Sequence, residues 1–159
     1  MLSGCIHTVK QTTVTPGIAA DALEFALMAE GRPYVWGADG PDGFDCSGLI
    51  VWAYKKAYPN IMFRVGNKKY PDVAMNDIWK YNTVPLLLKD IMPGDIVFIT
   101  SGQNTITHGG LFIRWVGDDE FEFINASSYH GQVVVDTWPV DGLKREQWFV
   151  GAGRLKVAY

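Results

Sequence analysis

The sequence predicts an α+β domain in which N-terminal helices pack on a mostly antiparallel β-sheet meander. Three observations carry that expectation. Apolar residues recur at helical intervals in two segments before residue 60. Beyond residue 93, apolar runs are punctuated by turn-forming pairs such as Pro93-Gly94 and Gly117-Asp118, as strands are. The helical segments also precede the strands instead of alternating with them, which separates the two element types into layers. At 159 residues the chain is long enough for one well-buried domain. We divide it into an N-terminal arm, residues 1–15, and a single domain, residues 16–159.

Taken in order, the arm has no helical period and reads as extended. Thr15-Pro16 opens the first helix, with Thr as cap and Pro at the first helical position. Ile18, Ala19, Ala22, Leu23, Ala26 and Leu27 give that helix an apolar face, and Gly31 is expected to end it. Tyr34-Val35-Trp36-Gly37 is a short extended piece that leads into a turn, Gly40-Pro41-Asp42-Gly43. Asp45 then caps a second helix with Cys46 at its first position. Leu49, Ile50, Ala53 and Ala57 form its buried face, and Pro59 closes it. Residues 60–70 are weakly patterned and basic, and read as a surface loop. A third helix is expected from Pro71-Asp72 to near Tyr81, with Val73, Ile78 and Tyr81 facing inward. Strands follow at 95–100, 107–116, 120–126, 132–137 and 148–157.

Composition excludes several classes. With 48% hydrophobic residues the chain is globular and not disordered. A net charge of −3 without any basic cluster gives no footprint for nucleic acid. No hydrophobic run is long enough to span a membrane. No secretory signal is expected, because a charged n-region and an apolar h-region are both missing. Leu2-Ser3-Gly4-Cys5 looks like the end of a lipoprotein signal, but no h-region precedes it, so lipidation of Cys5 is not the expectation. Cys5 and Cys46 are read as unpaired thiols, and neither has a Cys or His partner at metal-ligand spacing.

Cys46 is the residue with chemistry to offer. The start of a helix presents unpaired N–H groups and the positive end of the helix dipole, an environment that favours the nucleophilic thiolate. A cysteine nucleophile needs a base within reach and a polar group to orient that base. Of the three histidines, His7 lies in the arm and His130 in a polar turn, and both read as surface residues. His108 stands at the start of a strand, followed by Gly109-Gly110, where small residues allow another element to come close. The next strand pairs antiparallel to it and carries Asn125, a polar interruption in Phe123-Ile124-Asn125-Ala126. If the hairpin brings Asn125 beside His108, the amide oxygen can accept the ring N–H and fix the tautomer.

These residues fall within a wider resemblance. Arg32-Pro33-Tyr34-Val35-Trp36-Gly37 and Gly43-Phe44-Asp45-Cys46-Ser47-Gly48-Leu49 resemble the NlpC family of papain-like cysteine peptidases, which cut bacterial peptidoglycan. The likeness continues through Met92-Pro93-Gly94-Asp95-Ile96-Val97-Phe98, His108-Gly109-Gly110-Leu111-Phe112-Ile113 and Phe123-Ile124-Asn125-Ala126-Ser127. It covers residues 18–155, and five blocks in order are far more specific than one short motif. The resemblance implies a papain-like fold with Cys46 as nucleophile, His108 as general base and Asn125 in the third polar position. It implies that Tyr34, Asp45 and Ser47 meet the substrate. The expected reaction is hydrolysis of the amide between γ-D-glutamate and the diamino acid of a stem peptide, without metal or cofactor. The partner is then the peptidoglycan stem peptide, met outside the cytoplasm, with no nucleic acid and no membrane span. A phage tail or lysis enzyme, with phage tail proteins as neighbours, is the expected setting. Two alternatives stand beside this reading: a cysteine- and histidine-dependent N-acetylmuramoyl-L-alanine amidase, and a non-catalytic tail or envelope module of the same fold. The sequence departs from the family at two places. The Pro-Arg segment common after the cysteine helix has only Phe63-Arg64 as a counterpart, and the hairpin between His108 and Asn125 is longer than usual.

Overall fold

A computed structural model describes residues 8–102 and 104–159. Cys5 and His7 therefore lie outside the described residues. The chain begins with β1 (Gln11–Thr13), α1 (Pro16–Met28) and α2 (Cys46–Ala57). A small hairpin, β2 (Phe63–Val65) and β3 (Lys68–Tyr70), precedes α3 (Met75–Tyr81), β4 (Thr83–Leu86) and a 3₁₀ turn at Leu88–Asp90. Five longer strands complete it: β5 (Ile96–Thr100), β6 (His108–Val116), β7 (Glu120–Ser127), β8 (Gln132–Pro139) and β9 (Trp148–Ala158).

The two long helices start where capping chemistry puts them. Thr15 Oγ1 accepts the Ile18 N–H at 3.2 Å, and Asp45 Oδ1 accepts the Gly48 N–H at 2.7 Å. α1 buries Ala19, Ala22, Leu23 and Ala26, and it ends on Ala29, so Gly31 is not its terminator. Gly31 instead takes φ +87° and donates its N–H to Val133 O at 2.8 Å, which turns the chain onto β8. α2 buries Leu49, Ile50, Ala53 and Tyr54 against the sheet.

β5 to β8 form the expected meander, each antiparallel to the next, and β9 returns to pair with the free edge of β5. β1 and β4 both pair with β9, so the arm contributes a strand at Gln11–Thr13. Alternation along β5 divides the core. Ile96 and Phe98 face the helices, while Val97 and Ile99 enter an aromatic layer on the other face with Phe112, Phe121, Phe123 and Trp138.

The stretch between α2 and β5 also differs from the expectation. Residues 60–70 are not a plain loop: Phe63 pairs with Tyr70, and Phe63 is fully buried. Buried Asn82 holds this hairpin by accepting the Arg64 N–H and donating to Arg64 O, both at 2.8 Å. α3 begins at Met75 and not at Pro71, because Asp72 Oδ1 bonds the next residue's N–H at 2.8 Å and closes a local turn instead of a cap. β4 is an additional strand whose Pro85 suits an edge position.

The helix pair is fastened to the sheet at one corner. Tyr54 Oη donates to Gly94 O at 2.7 Å. A Cβ on Gly94 would lie 1.8 Å from Ala19 O, so only glycine lets this turn pass α1. The neighbouring Asp95 is fully buried and receives Arg154 of β9 through Nε at 3.0 Å and Nη2 at 2.9 Å. Among the described residues no helix is long and apolar enough to cross a membrane.

Candidate active site

The loop before α2 is built around Asp45. Its Oδ1 caps the helix and accepts the Ser47 hydroxyl at 3.3 Å, while Oδ2 accepts the Gly37 N–H at 3.1 Å. Backbone bonds from Val35 to Phe44 O, from Phe44 to Pro33 O and from Asp45 to Ala38 O lace the same loop. A Cβ on Gly48 would stand 2.1 Å from Ala38 O, so glycine is what allows α2 to lie this close. The result is a rigid seat for Cys46 at the first position of α2.

Cys46 is half-buried and faces a cavity of about 330 Å³ that Tyr34, Asp45, Ser47 and His108 also line. Its acidity departs from the sequence expectation. Burial pushes the thiol up to about 11, the Asp45 charge adds to the rise, and the backbone N–H groups of Ser47 and Cys46 oppose it without overcoming it. The helix start is present, but desolvation outweighs it. Burial, with the charges of Cys46 and Asp45 close by, likewise raises Tyr34.

His108 and Asn125 do meet. His108 Nε2 lies 2.9 Å from Asn125 Oδ1, and Asn125 Nδ2 donates to Val134 O at 3.3 Å. Because the amide nitrogen is committed to a carbonyl, the amide oxygen must be the group facing the ring. Nε2 therefore carries the proton, and Nδ1 is left as the basic nitrogen. The register explains the reach. Leu111 pairs with Ile124, so the next position sets Asn125 opposite Gly110, one step along from His108 on the same face. A Cβ on Gly110 would fall 2.9 Å from Asn125 Cβ and 2.2 Å from Ile124 O. Glycine leaves the gap through which Asn125 reaches His108. Burial lowers the His108 pKa below its usual value, against the Asn125 hydrogen bond, which raises it.

Asn125, only 1% exposed, stands behind the ring and does not line the cavity. Several lining residues escaped the sequence reading: Trp36, Tyr129, Trp138, Arg145 and Gln147. Trp36 is 87% exposed at the rim, and its place in the Tyr34–Gly37 segment was the available signal. Trp138 and Arg145 come from β8 and the turn beyond it, where no local pattern pointed to the site. His130 is exposed, as expected, and sits outside the cavity lining, with Arg145 Nη2 at 3.3 Å from its Nε2. Arg64 is spent on the β2–β3 hairpin, where its Nε donates to Gly66 O at 2.6 Å. Among the described residues no group of three or more His, Cys, Asp or Glu side chains could hold a metal ion.

Residues 31–152 match the NlpC/P60 family. Murein DD-endopeptidase MepH of Escherichia coli strain K12 is 30% identical over 166 residues, covering 94% of this chain and 55% of MepH. The bifunctional muramidase/DL-endopeptidase CwlT of Bacillus subtilis strain 168 is 35% identical over 115 residues, covering 70% of this chain and 32% of CwlT. The chain thus spans about half, or less, of these curated relatives. The solved structure of NlpC1 from Trichomonas vaginalis shares the fold with a TM-score of 0.62 at 23% identity, over 92% of this chain and 47% of that one.

Proposed function

The chain belongs to the NlpC/P60 family, and from that premise we propose that it is a cysteine endopeptidase of peptidoglycan, cutting the amide between γ-D-glutamate and the diamino acid of the stem peptide. The observation that carries the proposal is the fixed His108–Asn125 pair, which leaves Nδ1 as the base beside the cavity that Cys46 faces.

With the thiol raised and the imidazole lowered, the resting pair is a neutral thiol and a neutral ring. Attack is therefore coupled to proton transfer. As Cys46 Sγ bonds to the peptide carbonyl carbon, its proton passes to His108 Nδ1. The developing oxyanion is met by backbone N–H groups at the start of α2, that of Cys46 among them. The imidazolium returns the proton to the departing amine, leaving a thioester. Water, activated by Nδ1, then releases the acid and restores the thiol. Asn125 keeps the ring aligned through both halves.

Tyr34 and Ser47 are proposed to meet the peptide. Asp45 acts one step removed, since both its oxygens are already occupied within the loop. The names of the relatives point to different bonds, DD for MepH and DL for CwlT, and the γ-D-glutamyl bond is the DL choice. The phage-tail setting expected from the sequence has no counterpart in the site's geometry and forms no part of the proposal. The test is digestion of purified peptidoglycan with mass spectrometry of the soluble fragments. A new amine on the diamino acid, absent with Cys46→Ala, supports the reading. Cleavage only of D,D cross-bridges, or release of whole stem peptides from glycan, would overturn the choice of bond.

A further inference from the structure

The cavity lining also carries an arginine that the reaction above does not use. Residues 144–147 form a tight turn in which Lys144 and Gln147 exchange backbone hydrogen bonds at 2.9 and 3.0 Å. Its two central residues, Arg145 and Glu146, have φ of +51° and +60°. Glycine or asparagine is the ordinary occupant of such positions, and larger side chains there are strained. Backbone strain of this kind collects where a side chain must be aimed. Here it aims Arg145 into the cavity, with its guanidinium 4.0 Å from the Tyr129 ring centroid, while the Glu146 side chain is exposed.

The cations around it share one partly buried anion. Asp136 is met by Lys144 at 3.2 Å, by Arg145 Nη1 at 2.9 Å and by His130 Nε2 at 3.6 Å. The carboxylate of Glu146 is exposed to solvent, so the cation of this turn that lines the cavity is Arg145. A planar guanidinium placed over an aromatic ring suits a carboxylate better than any neutral group.

We propose that the 144–147 turn forms a carboxylate-binding subsite of the cavity, in which Arg145 pairs with the free α-carboxylate that a γ-linked glutamyl residue carries beside the bond to be cut. An ordinary α-peptide has no such group there, and an α-amidated stem peptide has lost it. The subsite rests on the γ-D-glutamyl reading for the source of the carboxylate.

Binding separates the two proposals. In the Cys46→Ala background, stem peptides differing only in an α-carboxylate or α-carboxamide on the D-glutamyl residue are titrated calorimetrically. The carboxylate form should bind roughly tenfold to a hundredfold more tightly, the range for hydrogen bonds to a charged group. Arg145→Gln should erase that preference, and Arg145→Lys should retain part of it, which a merely structural arginine would not do. Equal binding of both peptides by the parent, or a preference that survives Arg145→Gln, overturns the subsite. The bond cut by the wild-type chain is read independently from its products, so failure of the γ-D-glutamyl reading shows there and not in the titration.

Discussion

A thiol at the first turn of a helix is pulled two ways, toward ionisation by the helix N-terminus and away from it by burial. For Cys46 burial prevails, which bears directly on reactivity. Iodoacetamide should label Cys46 slowly at mildly acid pH and faster as the pH rises toward the thiol's range of about 11. Fast labelling in mild acid would show a preformed ion pair instead. His108 gives the other limb of the pH profile. Its lowered pKa keeps Nδ1 unprotonated below the usual histidine value of 6.5, so kcat/KM should hold through mild acid and fall only as the pH drops past the lowered pKa. Stability has the same sign: below 6.5 the unfolded chain gains a proton that buried His108 refuses, so unfolding becomes easier until His108 itself protonates. Asn125→Ala should reduce kcat on the order of ten- to a thousandfold with the fold retained, because the imidazole loses its orientation. An unchanged kcat would remove Asn125 from the proposed machinery. Cys46, His108 and Asn125 were legible because each sits in a short local pattern: a capped helix start, a His-Gly-Gly strand start and a polar break in an apolar strand. Arg145 was not, because its proposed role rests on a strained turn and on Tyr129 and Asp136, which only the folded chain brings to it.

Among the elements, the hairpin of β6 and β7 brings the proposed base and its orienting amide together. Its strands were readable as apolar runs broken at Gly117-Asp118. The closeness that Gly110 permits was readable only in outline, since a pair of glycines does not say which neighbour approaches. Gly110→Ala should destabilise the chain by about 1–3 kcal/mol, as overpacking does, and should depress activity more than that loss accounts for, by pushing Asn125 off the ring. Gly17→Ala, whose added Cβ meets nothing nearer than Thr15 Oγ1 at 3.8 Å, should be neutral or slightly stabilising. Urea melts and initial rates of the two variants make the comparison. Equal behaviour would mean that β7 can shift at no cost to the pair. The β2–β3 hairpin and β4 were harder to read for a physical reason. Their strands are three or four residues long, too short for a period to emerge, and one buried side chain, Asn82, organises the β2–β3 hairpin from a distance in sequence.

Over the whole molecule, the site depends on how two layers are held in register. α2 carries the thiol and the sheet carries the proposed base, so any slip between them opens the proposed pair. The Tyr54 bond to Gly94 O resists that slip, and the Asp95–Arg154 pair fixes the Gly94 turn to β9. Arg154→Met leaves Asp95 buried without its cation and should cost about 3–5 kcal/mol, seen as a lowered Tm. A loss below 1 kcal/mol, as for an exposed pair, would show that this pair does not hold the Gly94–Asp95 turn to β9. The order of layers was legible because the two long helices precede all five long strands; this buried pair was not, since its two residues stand far apart and resemble ordinary surface charges. The central claim is that Cys46 carries the γ-D-glutamyl group as a thioester. Acid quenching during turnover of a defined muropeptide, followed by intact-protein and peptide mass spectrometry, tests it most directly. The account predicts an adduct on Cys46 with the mass of the acyl portion ending at D-glutamate. An adduct ending at the muramoyl lactyl group or at D-alanine, or one carried by another residue, would contradict it.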